Sequence, residues 1–123
     1  MAKVLVVEDE TAIAKLLEHY LGSFGHAVMT VDSGTDSLRW LSVEDFDLVV
    51  MDVLIDGPSD GLEVCRMVKG AVGIASPRVL IISGLPGMED LALAAGADAF
   101  LAKPFRLEDV KYFAADLTRQ QLN

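Results

Sequence analysis

Five short apolar runs recur along the chain at nearly even spacing: Val4–Val7, Ala27–Val31, Leu48–Met51, Val79–Ile82 and Ala99–Leu101. They are aliphatic and nearly continuous rather than alternating, the pattern of parallel strands covered on both faces. Between them lie amphipathic segments. Ile13, Leu16, Leu17, Tyr20, Leu21 and Phe24 recur at three- and four-residue steps and form one apolar helix face. Thr11 is expected to cap that helix, with Gly22 or Gly25 ending it. Leu107, Val110, Phe113, Ala114 and Leu117 repeat the pattern near the end of the chain, with Pro104 near the start, Glu108 and Asp109 in the first turn and Arg119 near the other end. Weaker periodicity predicts helices over Ser33–Leu41, Gly61–Lys69 and Met88–Ala95, the last stopped by Gly96. Five strands alternating with five helices predict one doubly wound α/β domain over residues 1–123. Ligands of such sheets sit beyond the carboxyl ends of the strands. The search for chemistry therefore narrows to the residues just after each run.

Composition narrows it further. The 123 residues are 52% hydrophobic and 24% charged, ordinary for a soluble globular domain. A net charge of −9 repels phosphate backbones and anionic membranes, so direct nucleic-acid binding by this chain is not expected; cations and basic protein partners are favoured. No apolar stretch reaches the length of a membrane span, and the first residues are too short for a signal peptide. A single cysteine, Cys65, excludes an internal disulfide and fits a cytoplasmic setting. Its place in a helix reads as a small core residue. His19, His26, Trp40 and the methionines are read as structural or packing residues.

Reactive groups gather after the runs. Glu8, Asp9 and Glu10 follow the first, Asp52 the third, Ser83 the fourth, and Lys103-Pro104 the fifth. If the first and third strands are neighbours, Glu8, Asp9 and Asp52 meet at one edge and repel unless a cation joins them. Hard oxygen ligands in an open cluster suit Mg²⁺, which takes one or two carboxylates directly and keeps several waters. Asp52 can then act as a nucleophile towards a phosphoryl donor, with Lys103 and the Ser83 hydroxyl stabilising the transferred oxygens. Alone, Asp52 would be an ordinary loop or cap residue, Lys103 a solvated lysine and Ser83-Gly84 a plain turn. Their joint placement at the ends of the right strands is what carries the reading.

The segments Val6-Val7-Glu8-Asp9-Glu10, Leu48 to Val53, Ile81-Ile82-Ser83-Gly84 and Gly96 to Phe105 together resemble the receiver domains of two-component signalling, over residues 3 to about 118. The resemblance implies a flavodoxin-like fold with strand order 2-1-3-4-5. It makes Asp52 the phosphoacceptor, Glu8 and Asp9 the acidic metal site, and the Leu54 carbonyl a further Mg²⁺ ligand. Ser83 takes the hydroxyl position, Lys103 the lysine position and Phe100 that of the switch aromatic. The implied partners are a histidine kinase or phosphotransfer protein and a downstream target or effector domain outside this chain, with the domain itself a monomer or weak homodimer. Such a domain is a signalling switch rather than a turnover enzyme.

The chain also departs from the family pattern. Asp56 stands where many members have proline, four residues after Asp52, and Asp60-Gly61 comes one residue late, implying an insertion within Leu54–Ser59. The interval from Ser83 to Lys103 is 20 residues, shorter than in many members, which puts the shape of the fourth helix in question. Three rival readings make different demands on the chain. A haloacid-dehalogenase-type phosphatase wants a second acid two residues after the nucleophile, where this chain has Leu54. A flavodoxin-type flavin site needs a hydroxyl- or glycine-rich loop in place of Glu8-Asp9-Glu10. A pseudo-receiver, folded alike but never phosphorylated, has the same sequence pattern and differs only in experiment.

Overall fold

The computed structural model describes residues 1–57, 59–71 and 76–122. In chain order the elements are β1 (Lys3–Val7), α1 (Thr11–Gly22), β2 (Ala27–Val31), α2 (Gly34–Leu41), β3 (Leu48–Asp52), α3 (Gly61–Gly70), β4 (Arg78–Ser83), α4 (Met88–Ala94), β5 (Ala99–Ala102) and α5 (Leu107–Leu122). The strands form one parallel sheet in the order β2-β1-β3-β4-β5, as the resemblance implied.

Because side chains alternate faces along a strand, each central strand feeds two cores. Leu5, Val7, Val49, Met51, Val79 and Ile81 point to one side, where they meet Val64, Cys65 and Val68 of α3 and Ala92 of α4. Val4, Val6, Leu48, Val50, Leu80 and Ile82 point to the other and pack on Leu17 and Leu21 of α1 and Val110 and Ala114 of α5. Each such side chain, fully removed from water, contributes about 1.5–3 kcal/mol. That is why the central runs are apolar throughout, whereas the outer strands β2 and β5 are only half-buried.

Local chemistry sets the helix starts. The Ser33 hydroxyl accepts from the Asp36 N–H at 3.2 Å and the Asp60 carboxylate from the Glu63 N–H at 2.9 Å, so α2 and α3 begin on side-chain caps. Helix α1 differs from expectation. Its cap position is Glu10, in extended backbone and without a side-chain bond, and Thr11 is already helical. Helix α4 is the shortest, at 7 residues, and follows Gly87 at φ 74°, a conformation that favours glycine. Trp40 and Met67 are also more exposed than packing residues should be, at 37% and 41%. Cys65 is fully buried, and burial pushes its thiol up to about 11. His26 is held below its ordinary pKa by partial burial and by the charge of the N-terminus, and its Nδ1 accepts the Ala2 N–H at 3.1 Å.

A charged node closes the far end of the sheet, where β4 begins. The Asp98 N–H donates to the Val79 carbonyl at 2.9 Å, and the Asp98 carboxylate accepts the Val79 N–H at 2.8 Å. The same carboxylate pairs with Lys69 of α3 at 2.7 Å and Arg78 at 3.2 Å. Burial alone would raise the Asp98 pKa, but these donors outweigh it and hold the carboxyl below its ordinary range.

Candidate functional site

At the carboxyl ends of β1, β3, β4 and β5 the strands deliver Glu8, Asp52, Ser83 and Lys103 to one place. Glu8 is one residue past β1 and 5% exposed; Asp52 is the last residue of β3 and 7% exposed. Lys103 follows β5, and its ammonium reaches Asp52 Oδ2 at 2.5 Å and Glu8 Oε1 at 3.5 Å. Its own N–H donates to the Ser83 carbonyl at 2.9 Å, fixing the end of β5 to the end of β4. Asp52 Oδ1 accepts the Leu54 N–H at 3.2 Å, and Ser83 Oγ accepts the Leu85 N–H at 3.0 Å. The loops after β3 and β4 are thus anchored to the side chains that end those strands.

Burial is the largest influence on the charged groups of the site. Burial drives the Glu8 carboxyl up to about 7; the Glu10 N–H on Glu8 Oε2 opposes this and the Asp52 carboxylate adds to it. Burial works against the Lys103 ammonium, yet Asp52 and Glu8 together hold its pKa above the ordinary value. One lysine serves two buried carboxylates. An open cleft of about 330 Å³ lies over Asp52 and Lys103, lined by Asp9, Glu10, Asp52, Leu54, Ser83, Gly84, Leu85 and Lys103.

Of the residues singled out from sequence, Glu8, Asp52, Ser83 and Lys103 converge, while Asp9 lines the cleft from an exposed position. The expected three-carboxylate cluster is looser than supposed, because among the described residues no three His, Cys, Asp or Glu side chains stand together as a metal-holding group. Asp9 faces water, and the Lys103 ammonium takes the place beside Asp52. Phe100 pairs in register with Ile81, is half-buried, and lines a second cleft of about 450 Å³ with Ser83 and the start of α4.

Sequence reasoning missed the steric role of Gly61. A Cβ there would run into the Asp52 carbonyl oxygen and lie 2.9 Å from its carbon and 3.0 Å from Met51 Cγ, while the Gly61 N–H donates to the Val53 carbonyl at 2.8 Å. The Asp60-Gly61 pair was visible in the chain, but its one-residue displacement hid which peptide it would touch.

A doubly wound five-strand sheet with two carboxylates, a hydroxyl and a lysine at its strand ends defines a receiver domain, and comparison with known proteins agrees. The profile of the response regulator receiver domain matches residues 4–114, and the chain belongs to that family. It is 33% identical over 108 residues to the alkaline phosphatase synthesis transcriptional regulatory protein PhoP of Bacillus subtilis, covering 88% of this chain and 45% of that protein. It is 36% identical over 110 residues to the transcriptional regulatory protein TcrA of Mycobacterium tuberculosis, covering 88% and 42%. The chain therefore spans under half the length of these two relatives. Among solved structures it resembles the signal receiver domain of a Syntrophus aciditrophicus signal transduction histidine kinase, with TM-score 0.89, 30% identity and coverage of 98% and 92%. It also resembles the chemotaxis response regulator CheY4 of Vibrio cholerae, with TM-score 0.86, 26% identity and coverage of 95% and 98%. No described helix is long and apolar enough to cross a membrane.

Proposed function

We propose that this receiver domain is a phosphorylation switch that takes a phosphoryl group onto Asp52 with the help of one Mg²⁺. The observation that carries the reading is the pairing of two buried carboxylates, Glu8 and Asp52, with the Lys103 ammonium, where Asp52 and Lys103 line an open cleft. The residues fit Mg²⁺. The donors are hard oxygens, their number suits an ion that takes one or two carboxylates directly, and the buried Glu8 and Asp52 carboxylates share one ammonium, Lys103. Glu8, Asp9, Asp52 and the Leu54 carbonyl are the residues that would hold it. When bound, Mg²⁺ supplies neutralisation of the phosphoryl oxygens.

The protein's own groups do the rest. A histidine kinase or phosphotransfer protein presents phosphohistidine in the cleft. An Asp52 oxygen attacks phosphorus, the P–N bond breaks, and its electron pair leaves on the imidazole nitrogen. Lys103 offsets the charge gathering on the phosphoryl oxygens and Ser83 offers them a hydroxyl. Ser83 moving inward leaves space that Phe100 follows, altering the face of α4, β5 and α5 presented to a downstream target or effector domain. The chain acts as a cytoplasmic switch and not as a turnover enzyme. With its net charge of −9, contact with nucleic acid falls to a partner.

The test is intact mass after incubation with acetyl phosphate, with and without Mg²⁺, on wild type and Asp52→Asn. A single Mg²⁺-dependent phosphoryl adduct on wild type alone is expected. An adduct persisting on Asp52→Asn would refute the acceptor. Absence of any adduct, with phosphorylated kinase as donor too, would make the chain an unphosphorylated binding module.

A further inference from the structure

The loop after β3 carries an extra residue relative to the family pattern, and it does not hang free. Its second residue, Leu54, donates its N–H to Asp52 Oδ1 at 3.2 Å. Further on, Asp56 makes an isolated parallel bridge with Ser33, its N–H donating to the Asp32 carbonyl at 3.3 Å. In the sheet, β1 separates β2 from β3. Beyond the end of β1, therefore, the continuation of β3 reaches over and pairs with the continuation of β2. The reached segment is the start of α2: Ser33 caps it through the Asp36 N–H, and Ser37 N–H donates to the Ser33 carbonyl at 3.1 Å.

Apolar contact reinforces the strap. Ile55 packs half-buried against the core on that side. Its Cδ1 lies 3.5 Å from where a Cβ on buried Gly34, the first residue of α2, would stand, and Val64 Cγ2 of α3 lies 2.6 Å from the same point. The first turn of α2 is thus packed beside Ile55 of the strap and Val64 of α3.

We infer that Leu54–Asp56 is a strap coupling the state of Asp52 to helix α2, so that α2 forms a second responsive surface of the switch. The inference rests on the proposed phosphorylation of Asp52. Phosphorylation turns the carboxylate into an acyl phosphate, a mixed anhydride whose acyl part is neutral and whose charge lies out on the phosphoryl oxygens. Whichever Asp52 oxygen reacts, Oδ1 ceases to be a carboxylate acceptor, and a hydrogen bond to an ionised acceptor is about twice as strong as one to a neutral one. The Leu54 N–H is held less strongly by Oδ1, and a charged phosphoryl oxygen competes for it. The strap moves with it, and the Asp56 N–H transmits the movement to the Asp32-Ser33 backbone.

Backbone hydrogen exchange by NMR, on wild type with and without the acetyl-phosphate adduct, reads this directly. The Asp36 and Ser37 amides should shift on the order of fivefold in exchange rate, the factor for roughly 1 kcal/mol. Trp40, the chain's single tryptophan and part of α2, should change in fluorescence at the same time. Asp56→Pro removes the bridging N–H and should abolish both responses while the phosphoryl mass adduct still forms. Asp56→Ala keeps that N–H and should retain both. If Asp56→Pro does not fold, Ile55→Ala takes its place and should weaken the response. An adduct on wild type with unchanged α2 amides, or a response surviving Asp56→Pro, overturns the strap. No adduct on wild type would instead overturn the phosphorylation reading on which it rests.

Discussion

Asp98→Asn isolates the contribution of the charged node from every other part of the molecule. The replacement keeps the shape and one acceptor oxygen but removes the charge that faces Lys69 at 2.7 Å and Arg78 at 3.2 Å. The Asp98 and Lys69 side chains are only 18% and 20% exposed, so this pair is not screened as a surface pair would be. Hydrogen bonds to charged groups are worth about 1.5–3 kcal/mol each. With one such bond lost, and the Arg78 contact discounted because it is 34% exposed, the loss is about 2 kcal/mol at neutral pH. For a domain of this size that lowers Tm by roughly 8 °C. The sign of the pH dependence follows from the depressed carboxyl. A group ionising more readily in the folded state stabilises fully above its unfolded pKa of about 3.9, and that stability is lost as pH falls through the folded value. Urea unfolding at fixed ionic strength should therefore show a gap between wild type and variant that is constant near neutrality and closes as pH falls below the ordinary carboxylate range. A gap that stays unchanged into acid would assign the loss to packing and refute the electrostatic account. Phosphorylation of Asp52, at the opposite end of the strands, should be unaffected.

Gly61→Ala should cost about 1–3 kcal/mol through overpacking against the Asp52 peptide and slow adduct formation more than its stability loss explains, as paired melts and mass measurements would show; wild-type kinetics in a folded variant would contradict the steric argument. Leu54→Ser with Leu85→Ser replaces the apolar rim of the cleft. The phosphoryl adduct should then decay faster as water gains access, and an unchanged lifetime by quenched mass spectrometry would argue against the rim as a barrier.

The central strands were legible because burial on both faces leaves no room for polar residues, and all five apolar runs became strands within a residue or so of their expected bounds. The convergence of Glu8, Asp52, Ser83 and Lys103 was legible for a related reason, since parallel topology collects strand ends in one place. What escaped depended on geometry finer than pattern. The α1 cap fell on Glu10 because capping turns on where the backbone becomes helical, one residue from where side-chain chemistry pointed. Asp9 stays in water, an outcome set by side-chain direction. The Asp98 node joins residues from three separate stretches, and nothing about a lone aspartate after Gly96-Ala97 marks it as a fourfold partner. Residue type alone makes Trp40 a packing residue, yet it is 37% exposed on α2.

The burial of Cys65 has a practical consequence for observing this molecule at work. A thiol with no exposed surface and a pKa near 11 offers almost no thiolate to a maleimide or spin label at neutral pH. The native protein is therefore already a silent background for single-site labelling. A cysteine introduced on α2 or α4 can carry a probe alone, with the core cysteine left in place and the packing around it undisturbed.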